Sequence, residues 1–280
     1  MQQTDFTAAT SSGELGGWVT GDGPRVLVLH GGPGLGHEYM GDVVGELSAR
    51  YRVATFQQRG LSPSVIGGEF TIAEAIDDIV AVLDALGWET AYLVGHSWGG
   101  HLAFHAAAAI TDRLSGLLAI DPLGAVGDGG AAAFGAELVA RLEDRSRPRL
   151  DELLVKEEAE GLSLDEDLEQ LRLLWPSYFA DPATAPEMPP TRMAQSSSEG
   201  LWGEIVARLP DLEAALPSIS VPVGVLVGEG SPMPTTAGTD TADRIPGAWS
   251  YVVPGAGHFV WVESPGAVRG AVDRLTGHLG

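Results

Sequence analysis

Short apolar runs rich in β-branched residues alternate with helical segments over the first 120 residues, and this alternation constrains the fold more than any other feature. Strands alternating with helices form a parallel sheet that is covered on both faces. The sequence therefore predicts an α/β fold with a mostly parallel central sheet flanked by helices. Strands are predicted at residues 25–29, 51–56, 91–94 and 116–120, and helices at residues 71–86 and 98–110.

The strand pattern stops after residue 121, and helical segments take its place. These are predicted at residues 131–145, 151–160, 165–174 and 199–209. Strand signals return at residues 221–227 and 249–253. Ser264-Pro265 then predicts the start of a final helix, since Ser is a favoured N-cap and Pro a favoured first helical residue. We therefore expect a core formed by residues 1–121 and 218–280, interrupted by an inserted helical cap at residues 122–217.

Composition excludes several classes of partner and site. The chain has 38 acidic and 16 basic residues, a net charge of -22, and no Cys. Such a negative surface repels phosphate, so we expect neither nucleic acid nor a membrane as a partner. Without Cys there is no disulfide, thiolate nucleophile or Cys-ligated metal. Residues 1–12 lack the features of a secretory leader, and no apolar stretch reaches the roughly 18 residues of a membrane span, so we expect a cytoplasmic protein.

The segment Gly95-His-Ser-Trp-Gly99, followed by Gly100, lies between a predicted strand and a predicted helix. The pattern G-x-S-x-G at such a junction is typical of a nucleophilic serine on a tight turn whose close-packed neighbours must be glycine. The N-terminus of the following helix also favours developing negative charge. Ser97 is therefore the candidate nucleophile, and a plain glycine-rich turn is the alternative interpretation.

A second glycine cluster, His30-Gly-Gly-Pro-Gly34, directly follows the first predicted strand. A hydrolytic serine needs backbone N–H donors aimed at the oxyanion. We assign these donors to Trp98, which follows the nucleophile, and to Gly32, whose backbone can approach a substrate closely. The cluster faintly resembles a phosphate-binding loop, but Pro33 removes an amide and no P-loop lysine follows.

His258, just after the last predicted strand, is the candidate general base. His101 and His105 are four residues apart on one predicted helix, as a metal-binding pair would be, but neither the Glu of the zinc-protease motif nor a third ligand accompanies them. We predict no metal and no cofactor. The remaining histidines adjoin the glycine motifs, open a surface helix or lie near the C-terminus: His30, His96, His37 and His278.

The two glycine motifs and Gly257-His258 resemble, in order and spacing, those of α/β-hydrolases, and the first two are similar to the proline iminopeptidase-like branch. Gln58-Arg59-Gly60 also resembles that branch's Asp-Gln-Arg-Gly turn, with Gln57 in place of the acid. The resemblance covers nearly the whole core. It implies the α/β-hydrolase fold, with the helical cap inserted after the fourth of the predicted strands.

The resemblance also implies an acid after the next-to-last strand, in the pattern Gly, two residues, Asp. The chain has Gly228-Glu-Gly-Ser231 there, and a neutral hydroxyl cannot stabilise an imidazolium as a carboxylate does. Asp121, at the end of the fourth predicted strand, is our first choice because it lies at the same sheet edge as Ser97. In this respect the chain resembles zearalenone lactone hydrolases. Glu229 is the alternative acid; the plainer interpretations are that Asp121 caps a turn and Glu229 is solvated.

These residues predict a serine hydrolase that cleaves an ester or lactone through an acyl-enzyme. Ser rather than Asp at position 97 argues against haloalkane dehalogenase or epoxide hydrolase chemistry. The aromatic residues of the predicted cap, with Trp175 and Trp202 as candidate substrate-binding residues, favour an apolar small-molecule substrate that is bulky or aromatic.

Two alternatives stay open. One is an aminopeptidase of the proline iminopeptidase type, in which Glu199 or Glu204 would hold the substrate amine. The other is a hydrolase-like binding protein with weak or lost turnover, which the missing acid at the usual place would favour. The sequence does not predict the oligomeric state, and a homodimer is compatible with it.

Overall fold

The computed structural model describes residues 2–277, and its strands form a single eight-stranded sheet. In chain order these are β1 (Thr4–Thr10), β2 (Gly13–Thr20), β3 (Arg25–Leu29), β4 (Arg52–Phe56), β5 (Ala91–His96), β6 (Leu114–Ile120), β7 (Val223–Gly228) and β8 (Trp249–Val253). The spatial order is β1-β2-β4-β3-β5-β6-β7-β8. The pairs β1–β2 and β2–β4 are antiparallel, and all other neighbours are parallel. The predicted α/β class and mostly parallel sheet are confirmed.

Helices cover both faces of this sheet. They are α1 (Gly41–Leu47), α2 (Ile72–Ala85), α3 (Trp98–Ala109), α4 (Ala131–Ala140), α5 (Arg147–Glu160), α6 (Leu164–Leu174), α7 (Gln195–Ala215), α8 (Thr235–Asp243), α9 (Val260–Glu263) and α10 (Ala267–Thr276). In β3, Leu27 and Leu29 pack with α2 and α3, while Val26 and Val28 pack with α1 and α10. Because side chains alternate between the faces of a strand, a continuously apolar strand has both faces buried.

Two helices that position the site form for reasons visible in the sequence. Thr71 caps α2, accepting a hydrogen bond from the backbone N–H of Glu74 at 3.2 Å. The apolar stripe of α2 then packs on the sheet, with Ile79 and Leu83 fully buried. α3 is apolar nearly all round and lies between the sheet and α7, so almost every residue in it is buried.

The structure differs from the sequence-based expectations in several elements. β1 and β2 were not predicted, because β1 is mostly exposed and glycines weaken the strand pattern of β2. The predicted helix start at Ser264-Pro265 is wrong: Ser264 is the C-cap residue that follows α9, and α10 begins at Ala267 after Gly266. The helix predicted at residues 199–209 extends over the whole of α7 and continues through Pro210, since a buried stripe ending at Leu212 holds its second half.

The segment between β6 and β7 contains α4 to α7 and contacts the loop after β3 at the carboxyl edge of the sheet. Ala194 N–H donates to the Gly34 carbonyl at 2.8 Å, and Gly36 N–H donates to the Arg192 carbonyl at 2.9 Å. The division into core and cap at residues 122 and 217 stays a prediction, but these bonds place the inserted segment directly against the glycine loop after β3. Within residues 2–277, no helix is long and apolar enough to span a membrane.

Candidate active site

Ser97 joins β5 to α3 with φ 55° and ψ -118°, a backbone conformation that residues other than glycine rarely adopt. The turn is tight because its neighbours carry no side chain. A Cβ on Gly95 would lie 2.2 Å from the Gly99 carbonyl oxygen, and one on Gly99 would lie 2.4 Å from the Leu29 carbonyl oxygen. The G-x-S-x-G pattern thus produces the strained strand-to-helix turn expected for an exposed nucleophile.

His258 and Asp121 come together although 137 residues separate them in the chain. His258 Nδ1 lies 2.6 Å from Asp121 Oδ2, with His258 3% exposed and Asp121 fully buried. A carboxylate can only accept, so Nδ1 carries the proton and Nε2 is left to accept one. This is the arrangement that holds an imidazole ready to act as a general base.

The Asp121 carboxylate is fixed by three donors. Besides His258, the backbone N–H of Gly228 donates to Oδ1 at 2.9 Å, and Ser231 Oγ lies 2.5 Å from Oδ2. The alternative acid, Glu229, points elsewhere: it is exposed, and its Oε2 accepts from the Gly255 N–H at 3.1 Å. The structure therefore brings Asp121, not Glu229, onto His258.

Ser97 and His258 line the same cavity, and no hydrogen bond joins them among the described residues. A nucleophile–base contact is often long without substrate and tightens when substrate binds. The backbone of His258 is fixed by a further hydrogen bond, because its N–H donates to the Tyr178 carbonyl at 2.8 Å. Tyr178 belongs to a short 3-10 helix, Trp175–Tyr178, in the inserted segment.

The two predicted oxyanion donors flank Ser97. Trp98 begins α3, so its N–H has no acceptor inside the helix. Gly32 lines the cavity with φ 124°, and a Cβ on the preceding Gly31 would lie 3.1 Å from Ser97 Cβ. The loop after β3 therefore approaches the serine closely enough for its amides to face an oxyanion.

A hydrogen-bond chain that we did not predict connects this loop to the His258 loop. Gly31 N–H donates to Tyr39 Oη at 2.5 Å, and Tyr39 Oη lies 2.9 Å from His96 Nδ1. His96 Nε2 lies 3.0 Å from the His258 carbonyl, which can only accept. Nε2 is therefore protonated and Nδ1 accepts from Tyr39. Burial, and then the nearby His258, lower the pKa of His96 well below its ordinary value, so the ring is neutral.

A second buried network supports the same loop from the side of β4. His30 Nδ1 donates to the Gly31 carbonyl at 2.9 Å, and His30 Nε2 accepts from the Gln58 N–H at 3.0 Å. The Gln58 side chain also accepts from the Trp98 indole N–H at 2.9 Å. Burial lowers the pKa of His30 to about 4, which keeps this ring neutral as well. The residues beside the two glycine motifs thus orient the backbone around Ser97.

The cavity over Ser97 has a volume of about 90 Å³, and none of its described lining residues is Asp, Glu, Lys or Arg. Its walls are mainly aromatic, and they include Tyr39, Phe134, Trp175, Tyr178 and Phe259. A second groove of about 350 Å³ adjoins it and shares Tyr39, Trp175, Pro189 and Phe259 as walls. The site therefore consists of a small apolar chamber at the serine and a larger groove beside it.

Of the two predicted substrate-binding tryptophans, one lines the cavity and the other faces solvent. Trp175 lines both the chamber and the groove. Trp202 lines neither: it is 45% exposed, because the buried stripe of α7 runs through Leu201, Ile205 and Leu209 and leaves Trp202 on the solvent side. Tyr39, Phe134 and Phe259, which line the chamber, were not predicted; only their aromatic character could have indicated them.

His101 and His105 lie together on α3, with ring centroids 5.0 Å apart. Burial lowers the pKa of His101 to about 4 and that of His105 to about 3. Within residues 2–277, no group of three or more His, Asp or Glu side chains could hold a metal ion. The seventh histidine of the chain, His278, lies outside the described residues.

Comparisons with known proteins agree with this architecture. Epoxide hydrolase B from Mycobacterium tuberculosis is 36% identical over 101 residues, 35% of this chain and 28% of that protein. The chain thus spans about a third of the length of the curated relatives it matches. A thermophilic esterase from Thermogutta terrifontis is 27% identical, with 99% of each chain covered and a TM-score of 0.68. Carboxylesterase CesB from Bacillus subtilis has 20% identity, a TM-score of 0.69, and 99% and 93% coverage of this and that chain; it shows the fold alone.

A family model covers most of the sheet and the helices around it. It matches residues 26–271, which include the glycine loop after β3, the Ser97 turn, Asp121 and His258. The match therefore includes every residue that the structure brings together at the cavity. The chain belongs to the alpha/beta hydrolase family.

Proposed function

We propose that this chain is a serine hydrolase that cleaves a neutral, apolar ester or lactone through an acyl-enzyme. The observation that carries the proposal is the 2.6 Å contact between His258 Nδ1 and the buried Asp121 Oδ2, with His258 lining the same cavity as Ser97. The chain order Ser97, Asp121, His258 is the order in which α/β-hydrolases carry their serine, acid and histidine.

The chemistry follows from the positions of these groups. His258 Nε2 takes the proton of Ser97 Oγ as the oxygen attacks the acyl carbon, and Asp121 stabilises the imidazolium. The Gly32 and Trp98 amides stabilise the oxyanion. His258 then protonates the ester oxygen of the leaving group, which departs as the alcohol. In the second half, His258 removes a proton from water as the water attacks the acyl-enzyme, and it returns this proton to Ser97 Oγ as the acid is released.

The substrate class follows from the chamber wall. Among the described lining residues there is no Asp, Glu, Lys or Arg, and His258 is charged only when it is protonated. A charged acyl group would therefore lose its hydration in the chamber without gaining a partner. A chamber of about 90 Å³ is also smaller than the roughly 300–1,000 Å³ of pockets that bury drug-sized ligands. We infer that the chamber holds a compact acyl group and that the larger, aromatic part of the substrate occupies the adjoining groove.

The aminopeptidase alternative has one supporting observation. The groove beside the chamber is rimmed by carboxylates that could hold an amine, namely Glu38, Asp42 and Glu187. Glu204, considered from the sequence for this role, instead lines a different groove with His105 and Arg208. Glu38 is already paired with Arg192. The epoxide hydrolase name of one relative does not transfer, since position 97 carries Ser rather than a carboxylate nucleophile.

A fluorophosphonate probe tests the proposal directly. We expect covalent labelling at Ser97 in the wild type, and loss of both labelling and aryl-ester hydrolysis in Ser97→Ala. Ser48→Ala is the matched control: this buried serine directly follows α1, and its hydroxyl bonds the Gly45 carbonyl. Turnover that survives in Ser97→Ala would contradict the proposal. Faster cleavage of a prolyl-anilide than of any aryl ester or lactone would favour the aminopeptidase instead.

A further inference from the structure

Ser231 stands where the family resemblance leads us to expect an acid, and the structure gives its hydroxyl a definite partner. Ser231 is 7% exposed, and its Oγ lies 2.5 Å from Asp121 Oδ2. The backbone N–H of Met233 donates to the same Oγ at 3.0 Å. Because that amide can only donate, the hydroxyl accepts from Met233 and directs its own proton to Asp121.

The hydroxyl and His258 share one oxygen atom of the carboxylate. Asp121 Oδ2 receives Ser231 Oγ–H and His258 Nδ1–H, while Oδ1 receives the Gly228 N–H. A fully buried carboxylate needs such donors on its lone pairs. The donors also fix its plane, so that Oδ2 cannot rotate away from His258. Two side chains donate to Asp121, and of these His258 takes part in the proposed reaction whereas Ser231 does not.

We propose that Ser231 is a positioning residue, whose hydroxyl holds Asp121 on His258, and that its position can itself carry the acid when Asp121 is neutralised. The proposal rests on the serine hydrolase function proposed above. Ser231 Oγ and His258 Nδ1 contact the same oxygen, so the Ser231→Asp substitution would bring a carboxylate next to the place of Oδ2, on the side from which Ser231 now donates. The loops after β6 and β7 thus provide two backbone positions, 121 and 231, from which a carboxylate can contact His258.

The first arm of the test removes the hydroxyl. Ser231→Ala should lower kcat about tenfold with KM unchanged, which corresponds to losing a hydrogen bond to a charged group. Ser231→Thr, which keeps a hydroxyl, should restore most of the lost kcat. Circular dichroism and thermal unfolding identify variants that are folded. A folded Ser231→Ala enzyme with wild-type kcat would overturn the positioning role.

The second arm moves the acid. Asp121→Asn alone should lower kcat by roughly 10³–10⁴-fold. Asn suits the left-handed backbone of position 121, where φ is 42°, and its amide can donate to a carboxylate introduced at position 231. Asp121→Asn/Ser231→Asp should therefore recover at least about tenfold of that loss. Asp121→Asn/Ser231→Asn has the same shape without the charge and should recover nothing.

The outcomes separate this inference from the proposed function. Suppose that Ser97→Ala and Asp121→Asn are inactive, that Ser231→Ala has the activity of the wild type, and that Asp121→Asn/Ser231→Asp has the activity of Asp121→Asn. Then only the inference about Ser231 is wrong. If Ser97→Ala remains active, the proposed function itself fails, whatever Ser231 does. Equal activity of Asp121→Asn/Ser231→Asp and Asp121→Asn/Ser231→Asn would overturn the inference that position 231 can carry the acid.

Discussion

Asp121 Oδ2 lies 2.6 Å from His258 Nδ1, so the acid of the candidate site comes from the end of β6 rather than from the loop after β7. Neutralising this carboxylate should remove its stabilisation of the imidazolium without changing side-chain shape. We expect Asp121→Asn to lower kcat for an aryl ester by roughly 10³–10⁴-fold. Steady-state hydrolysis measures the effect, with circular dichroism to verify folding.

Glu229→Gln is the control for this prediction. Glu229 is exposed, and among the described residues its side chain accepts only from the Gly255 N–H, so the kcat of the Glu229→Gln variant should stay at the wild-type level. The opposite pattern, with Glu229→Gln inactive and Asp121→Asn active, would identify Glu229, in the loop after β7, as the acid.

Tyr39 joins the glycine loop after β3 to the His258 loop through His96. Tyr39→Phe removes the hydroxyl that accepts from Gly31 and donates to His96, leaving two buried polar groups without a partner. We expect the free energy of unfolding to fall by about 1–3 kcal/mol. We also expect kcat to fall, because Gly31 precedes Gly32, the proposed oxyanion donor. Urea unfolding and steady-state kinetics measure the two effects.

Tyr251→Phe provides the comparison for Tyr39, since Tyr251 is 52% exposed on the edge strand β8. It should change neither stability nor kcat measurably. An unchanged kcat in a folded Tyr39→Phe variant would show that the hydrogen-bond chain stabilises the loops without affecting the chemistry.

Sequence reasoning reached those residues of the candidate site that lie in local motifs or at strand ends, and it missed the side-chain contacts that support them. Ser97, Gly32 and His258 follow from short patterns at strand ends, and Asp121 follows from its place at the same sheet edge. Tyr39 meets His96 across 57 residues, and no local pattern marks that pairing.

The two tryptophans show the same limit within the inserted segment. Trp175 and Trp202 look alike by composition, and only the packing of their helices decides that one faces the cavity and the other faces solvent. The first two strands were missed because an exposed edge strand and its glycine-rich partner need not bury a regular apolar face. In both cases tertiary packing settled what local pattern left open.

Trp175 is one of the four residues that line both the chamber over Ser97 and the adjoining groove. Its indole N–H donates to the Pro186 carbonyl at 2.8 Å, and its ring packs 4.8 Å from that of Phe259. Trp175→Ala should join the two spaces. We expect kcat/KM for an aryl ester with a benzoyl group to rise roughly tenfold relative to the acetate. Paired assays of the two esters measure this ratio.

Trp202→Ala is the matched control, because it removes the same side chain from the solvent side of α7. The ratio of benzoyl to acetyl ester hydrolysis should stay at its wild-type value. If both variants shift the ratio equally, or neither does, the assignment of the chamber to the acyl group is wrong.

Three buried histidines and the half-buried His105 make the folded state sensitive to acid. Burial lowers the pKa of His30 and His101 to about 4 and of His105 to about 3, and it lowers that of His96 well below 6.5. Below about pH 6.5 the unfolded chain binds protons that the folded chain does not, so the free energy of unfolding falls as pH falls. This stability is complete above pH 6.5 and is lost progressively toward pH 4, by up to about 1.4 kcal/mol per histidine for each pH unit.

His105→Gln isolates this effect from the titration of the 38 acidic residues, whose protonation reduces the net charge of -22 over part of the same range. The variant keeps a polar side chain that does not titrate. Urea unfolding at pH 7.5, 6.5, 5.5 and 5.0 should show a shallower loss of stability in the variant, by up to about 1.4 kcal/mol per pH unit. The two curves should converge in slope above pH 7. Parallel curves throughout would mean that His105 takes up a proton in the folded state as readily as in the unfolded chain.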